Sequence, residues 1–278
     1  MKRLLLILTA ALSLVACRKA ILEDRTACPS LLYFEISNSD AFGKPDRVQV
    51  NAYRYPDQSS LAIDTTTIRE MEGRNYFLDI RHADAVRGCG VLGFRECRLE
   101  NEVCWCVPPG NGFDSLYRFT YLSIVEPELF TVPVEFVKEH CVVTLQFVNA
   151  SQEDMPKDSF PYEVLVKSNT CGINALTGEP VKGAFECKAQ ETASGVFQFL
   201  LPRQADGQLI MELYGRPGFC PMDGLVHSFN LASILKDLGG VSWQEKNLPD
   251  VLVGIDFKDI DIQVQVMPWE NKDMEYAY

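Results

Sequence analysis

The chain has 278 residues, 47% of them hydrophobic, with 38 acidic and 26 basic side chains and a formal net charge of −12. This hydrophobic share is normal for a globular core, and the length suits two domains of ordinary size. The chain carries more acidic than basic side chains, and no run of basic residues is longer than two. We therefore expect no nucleic-acid partner, since nucleic-acid binding needs a basic surface.

The N-terminus has the layout of a secretory signal peptide in residues 1–16, where Lys2 and Arg3 precede an apolar run too short to span a membrane. Leu14-Val15-Ala16-Cys17 is typical of a lipobox and predicts cleavage before Cys17 and acylation of that residue. The alternative is an ordinary cleavage site with an incidental cysteine. Since each buried methylene contributes about 0.8 kcal/mol, a multiply acylated Cys17 would hold the protein on a membrane. Residues 17–27, charged and without periodicity, are expected to form a lipidated tether.

Alternating apolar and polar residues predict an all-β protein with one or two short helices. The predicted strands cover residues 32–36, 48–52, 76–80, 117–125, 141–147, 162–167, 196–201, 209–214, 251–257 and 260–266. Segments rich in Gly, Pro, Asn and Asp separate them, which indicates β-sandwiches. We expect an N-terminal sandwich in residues 28–135 and a C-terminal sandwich in residues 136–278, with a boundary near Pro127 and Pro133.

Two local features stand out in the second half. Residues 251–257 and 260–266 predict a hairpin that turns at Lys258-Asp259. One amphipathic helix is predicted around Leu231, Ile234, Leu235 and Leu238, with Ser228 or Asn230 as its N-cap and Gly239-Gly240 after its end. Its leucine stripe indicates a helix that covers part of a sheet.

Nine of the ten cysteines remain after Cys17, and export makes disulfides the default expectation. Cys104 and Cys106 are predicted to lie on one face of a strand, so they should pair with separate partners, and Cys89 and Cys97 are the candidates. A zinc site that includes His82 is the alternative, although the spacing matches no familiar Cys-x-x-Cys pair. Cys141 is expected to be a free, buried thiol.

No catalytic constellation is recognisable. Residues 88–93 formally satisfy G-x-G-x-x-G, but no clear strand precedes them, so a glycine turn is predicted. The histidines are scattered, and His140 is expected to be an edge or packing residue. We therefore predict no enzyme activity, no cofactor and no metal site. An envelope enzyme with unrecognised residues is the remote alternative.

Several stretches, taken in order, carry a resemblance to a known family. They are the lipobox, Asp24-Arg25-Thr26-Ala27-Cys28-Pro29, Asn174-Ala175-Leu176-Thr177-Gly178, and the ending Leu248-Pro249-Asp250-Val251 with Ile255-Asp256-Phe257 and Trp269. This order resembles the fimbrillin-associated anchor lipoproteins of type V fimbriae, such as the minor-fimbrium anchor subunit. The resemblance implies two tandem transthyretin-like β-sandwich domains, lipid anchoring in the cell outer membrane, and a role in anchoring a polymerised fimbria and limiting its length.

The same resemblance implies strand addition as the mode of contact with a fimbrial shaft subunit. The candidate contact residues are Ile260, Ile262, Val264, Val266, Trp269, Tyr276 and Tyr278. Their alternation also fits a strand that stays within its own domain, and the short Lys258-Asp259 turn favours that interpretation. The alternative function is a surface lipoprotein that binds a glycan or another small ligand on its loops, with Trp105, Trp243 and Trp269 as apolar platforms.

Overall fold

The computed structural model describes residues 29–38, 47–81, 85–101, 103–124, 128–148, 160–205, 207–218, 224–256 and 262–267. Cys17, Cys28, His82, Ile260, Trp269, Tyr276 and Tyr278 lie outside these ranges. Within them the protein is mainly β with two short helices, which confirms the predicted fold class.

The described residues of the first half form ten strands and one helix. They are β1 (Pro29–Ile36), β2 (Arg47–Arg54), β3 (Ser60–Thr67), α1 (Ile68–Glu72), β4 (Leu78–Arg81), β5 (Ala85–Leu92), β6 (Arg98–Leu99), β7 (Cys104–Cys106), β8 (Tyr117–Ile124), β9 (Glu128–Val134) and β10 (Val137–Lys138). A three-stranded sheet with the order β4-β1-β9 faces a five-stranded sheet with the order β10-β8-β5-β2-β3. Both sheets contribute side chains to one apolar cluster. This is a β-sandwich whose core includes Leu32, Phe34, Val50 and Phe119.

In the second half, the residues that the structure describes form nine more strands and the second helix. They are β11 (His140–Val148), β12 (Tyr162–Asn174), β13 (Pro180–Lys188), β14 (Gln190–Ala193), β15 (Val196–Pro202), β16 (Leu209–Gly215), β17 (Gly224–Asn230), α2 (Leu231–Asp237), β18 (Asp250–Asp256) and β19 (Ile262–Met267). One sheet has the order β14-β15-β11-β18-β19, and the other has the order β17-β16-β12-β7-β6, with β13 also paired to β12. Their facing surfaces form the second apolar cluster.

The short hairpin of β6 and β7 joins the two halves. It belongs to the first half by sequence, yet β7 pairs antiparallel with β12, with Cys106 opposite Gly172 and Cys104 opposite Asn174. Tyr53, Cys89 and Val91 of the first sandwich also belong to the second apolar cluster. The division between residues 135 and 136 stays a prediction, but the first half supplies two strands to a sheet of the second half.

The predicted glycine turn at residues 88–93 is wrong for its first part. Gly88 and Gly90 lie inside β5, directly opposite Tyr121 and Phe119 of β8. A Cβ at Gly90 would lie 2.1 Å from the Phe119 ring, and one at Gly88 would lie 2.2 Å from the Tyr121 ring. The glycines therefore make room for two core aromatic rings, and a phosphate-binding loop is excluded at this position.

The helix α2 confirms the amphipathic pattern. Asn230 is its N-cap, since the Asn230 side chain accepts a hydrogen bond from the Ser233 backbone N–H, whereas Ser228 lies in β17. Leu231 and Leu235 are fully buried, but Leu238 is more than half exposed. The helix lies against β16 and next to β19.

Candidate docking edge and domain junction

The predicted C-terminal hairpin is confirmed as β18 and β19. The two strands pair antiparallel with Val251 opposite position 266, Val253 opposite position 264 and Ile255 opposite position 262. Directly opposite residues occupy the same face of a sheet. Positions 262, 264 and 266 therefore belong to the face on which Val251, Val253 and Ile255 are buried. The turn at Lys258-Asp259 lies outside the described residues.

The start of β18 is fixed by a polar contact that the sequence did not reveal. The Asp250 carboxylate accepts a hydrogen bond from the Val142 backbone N–H at 2.7 Å and pairs with the ammonium of Lys138. Lys138 is nearly fully buried, and its carbonyl oxygen accepts a hydrogen bond from the Leu248 N–H. Since a charge-assisted bond is stronger than a neutral one, Asp250 anchors β18 beside β11 and so positions the β19 edge.

In the part of the chain that the structure describes, β19 is the outermost strand of its sheet and pairs with another strand on one side only. Its sequence, IQVQVM, contains no charged residue, proline or glycine, and its pairing with β18 has no register shift. Natural edge strands are usually blunted by one of these features or by being very short. Among the described strands, none pairs with the backbone N–H and C=O groups on the outer side of β19.

The other described sheet edges all carry such protection. β13, which pairs only with β12, contains a proline, a glycine and charged residues, and it pairs across register shifts. β3 contains Asp64 and opposes a bulge, β9 contains Glu128 and Pro133, and β14 is four residues long with a register shift. β17 begins with a glycine and pairs across a register shift. The charged strand β4 and the two-residue strands β6 and β10 are short. Among the described edges, β19 is thus the best suited to strand addition.

The junction of the two halves is organised around Glu139, which is completely buried. Its two carboxylate oxygens pair with Arg118 Nε at 2.6 Å and with Arg203 Nε at 2.9 Å. Arg203 also donates to the carbonyl oxygens of Trp243 and Glu245. One carboxylate thus links β8 of the first sandwich to the chain after β15 of the second.

His140, the next residue, is buried and serves packing, as predicted. Its Nδ1 lies 3.1 Å from the Leu116 carbonyl oxygen, and its ring meets the Tyr117 ring edge-on at 5.1 Å. Burial, and to a lesser degree the positive charge of Lys138, lowers the pKa of His140 from 6.5 to about 3. The imidazole is therefore neutral at physiological pH and poorly suited to act as a general base.

The stretch of residues 174–178 forms the turn between β12 and β13 and also contacts the first sandwich. Asn174 Oδ1 accepts hydrogen bonds from the Leu176 and Thr177 N–H groups. Gly178 has a φ of +76°, and a Cβ there would lie 2.0 Å from the Arg118 guanidinium. The turn thus packs against the same arginine that holds Glu139. A cavity of about 610 Å³ opens beside it, with a lining that includes Arg118, Thr177, Glu179, Arg203, Gln244 and Lys246.

The disulfide pairing of the candidate cysteines stays a prediction. No disulfide joins the seven described cysteines in the structure, so the predicted linkage of Cys104 and Cys106 to Cys89 and Cys97 is not shown. Cys106 instead lies opposite Gly172 of β12, next to Cys171, on a strand distant in sequence. Cys141 is a fully buried free thiol, as predicted. Within the described ranges, no group of three or more His, Cys, Asp or Glu side chains could hold a metal ion.

The suggested tryptophan platforms are wrong for Trp105. It is 3% exposed and packs against Phe94, with 4.7 Å between ring centroids, because β7 is covered in the second core. Trp243 is half-buried and packs against the same cluster. Searching the described residues for helices, we find none of the length and apolar character that crossing a membrane requires.

The fold is similar to several solved structures. The fimbrial anchor protein Mfa2 from Porphyromonas gingivalis matches with a TM-score of 0.58 and 10% identity, over 85% of this chain and 95% of that chain. A candidate adhesin from Bacteroides thetaiotaomicron matches with a TM-score of 0.59 and 11% identity, over 88% and 98%. A candidate polysaccharide-binding protein from the same species gives 0.59 and 9%, over 87% and 96%.

Sequence comparison gave no further relatives, since neither a protein-family model nor a curated protein matches this chain. At identities near 10%, the structural likeness shows the shared β-sandwich fold.

Proposed function

We propose that this protein is a lipid-anchored fimbrial base subunit of the cell outer membrane. It docks the first fimbrial shaft subunit through the β19 edge and the segment that follows it. The observation that carries the proposal is the uncharged, unbulged six-residue β19 edge in a fold similar to that of a fimbrial anchor protein.

The chemistry of the edge supports strand addition. A strand from a partner subunit would pair its main-chain N–H and C=O groups with the free side of β19, while alternate side chains fix the register. Asp250 and Lys138 hold β18 in place, and β18 pairs with β19 from Asp250 to Ile255. A preorganised edge loses little conformational freedom on binding, which favours affinity.

The same arrangement accounts for a limit on fibre length. A head-to-tail filament grows as long as each end offers an interface to the next subunit. A base subunit that carries only the interface for the shaft, and that is held by acyl chains on Cys17, would end growth at the cell. Export and acylation of Cys17 are supported by the lipobox at residues 14–17.

Lysines on the docking edge provide the test. Gln263 and Gln265 lie opposite Gly254 and Leu252, on the face away from the core positions of β19. Gln263→Lys with Gln265→Lys should leave folding and membrane attachment intact, and should shift fibres from the cells into the medium, because charges on an edge strand oppose pairing.

The matched control places two lysines on β17, the edge of the opposite sheet, where Leu225 and Ser228 are exposed. Leu225→Lys with Ser228→Lys should retain fibres at the level of the unmodified protein. If the β19 lysines leave retention unchanged, or if the β17 lysines release as many fibres, the β19 docking edge is wrong.

A further inference from the structure

Cys106 and Cys171 lie side by side although 64 residues separate them in the chain. Cys106 ends β7 and pairs with Gly172 of β12, and the Val107 N–H donates to the Cys171 carbonyl oxygen at 3.0 Å. The pairing of β12 with β13 shifts register between Thr170 and Gly172, as a bulge does when it redirects a side chain. Cys106 and Cys171 therefore occupy neighbouring positions on two paired strands.

Close backbone packing holds the pair in place. A Cβ at Gly172 would lie 1.9 Å from the Trp105 carbonyl oxygen, and a Cβ at Gly183 would lie 2.5 Å from Cys171 Sγ. The glycines thus let β7 and β13 approach β12 on both sides of the pair. Cys106 is 1% exposed and Cys171 is 6% exposed, so the site is shielded once the protein has folded.

We propose that Cys106 and Cys171 form a disulfide that fastens the β6–β7 hairpin of the first half to the sheet of the second. As the S–S bond forms, the two thiols lose two protons and two electrons. A disulfide oxidant, such as oxidised glutathione or a thiol oxidoreductase in its disulfide form, accepts them and becomes two thiols. Such oxidants belong to the export compartment that the signal sequence predicts.

The timing follows from the surroundings of the pair. Burial raises the pKa of both thiols, and the thiolate is the reactive form. The proposed oxidation is therefore expected before the two thiols become buried. The completed bond constrains the separation of the two halves in the unfolded chain, which stabilises the folded state.

The test is a map of thiols and disulfides in the full exported chain, isolated without reductant, unfolded with N-ethylmaleimide and digested for mass spectrometry. The expected result is a peptide pair linked through Cys106 and Cys171 that reductant separates, while Cys141 is alkylated. Alkylation of both Cys106 and Cys171, or a link from either one to Cys97 or Cys104, overturns the proposal.

Variants extend the test to stability. Cys106→Ser and Cys171→Ser should each lower the melting temperature by about 5 to 10 °C. Because both changes remove the same bond, the double variant should lose no more than a single variant, apart from the effect of the second serine itself. Reductant should lower the melting temperature of the unmodified protein and of Cys141→Ser, the matched control, but not that of the two variants. Equal sensitivity to reductant in all four proteins contradicts the proposed bond. If a variant does not fold, the peptide map of the unmodified protein decides.

Discussion

Acid should destabilise this protein through His140. The imidazole is 3% exposed, packs on Tyr117 and bonds to the Leu116 carbonyl oxygen through Nδ1. Burial and the charge of Lys138 lower its pKa to about 3 in the folded protein, from 6.5. In the unfolded chain the ring regains its ordinary pKa of 6.5. Between the two pKa values, the unfolded state therefore binds a proton that the folded state does not bind.

The sign and size of the effect follow from these two pKa values. Above pH 6.5 the ring is neutral in both states and contributes no pH dependence. As the pH falls from 6.5 towards 3, only the unfolded state gains the proton, and the free energy of unfolding decreases throughout this window. At pH 5 the loss relative to pH 8 amounts to about 2 kcal/mol, since each pKa unit is worth about 1.4 kcal/mol.

Urea unfolding of the unmodified protein and of His140→Asn at pH 8, 6 and 5 measures this loss. The Asn side-chain amide can replace the Nδ1–H donor to Leu116 but does not titrate. The variant starts from a lower stability because part of the ring is missing, so the comparison is between slopes. The unmodified protein should lose about 2 kcal/mol more than the variant between pH 8 and pH 5. Equal losses would refute the assignment of His140 as a buried neutral ring.

Three further predictions concern the junction, the core and the anchor. Glu139→Ala should lower the free energy of unfolding by about 3 to 5 kcal/mol, because it leaves two arginines without their buried partner. In the same urea unfolding measurement, Glu135→Ala should lower it by less than about 1 kcal/mol, since Glu135 forms an exposed pair with a lysine. Gly90→Ala should cost about 1 to 3 kcal/mol by displacing an aromatic ring, and Gly207→Ala, with open space around it, should be nearly neutral. Cys17→Ala should release the folded protein and its fibres into the medium. If this variant stays in the membrane fraction as much as the unmodified protein does, acylation of Cys17 is contradicted.

Much of the fold could be predicted from local pattern. The alternation in β2, β11 and β18 and the Asn230 cap of α2 depend on neighbours in sequence, and the structure confirms them. The strand β5 could not be recognised, because Gly88 and Gly90 are explained only by the Phe119 and Tyr121 rings of a strand distant in sequence.

In the candidate site, too, some features follow from neighbours in sequence and others depend on strands that are distant in sequence. The hairpin that forms the β19 edge follows from alternation and a short turn, but its position at the end of a sheet depends on the pairing of β18 with β11. The ion pairs of Glu139 with Arg118 and Arg203 join residues that are far apart in the sequence, so no local pattern predicts them. Likewise, the approach of Cys106 to Cys171 depends on the β7–β12 pairing, which the cysteine spacing cannot indicate.

The docking edge can be tested most directly with a photo-reactive amino acid at position 265 of β19, irradiated in the native envelope. The control carries the same amino acid at position 228 of β17, which is exposed on the edge of the opposite sheet. A contact through β19 predicts an adduct between position 265 and a fimbrial shaft subunit, identified by mass spectrometry, and no such adduct from position 228. Capture of the shaft subunit from position 228 alone, or from neither position while fibres remain attached, would contradict docking through β19.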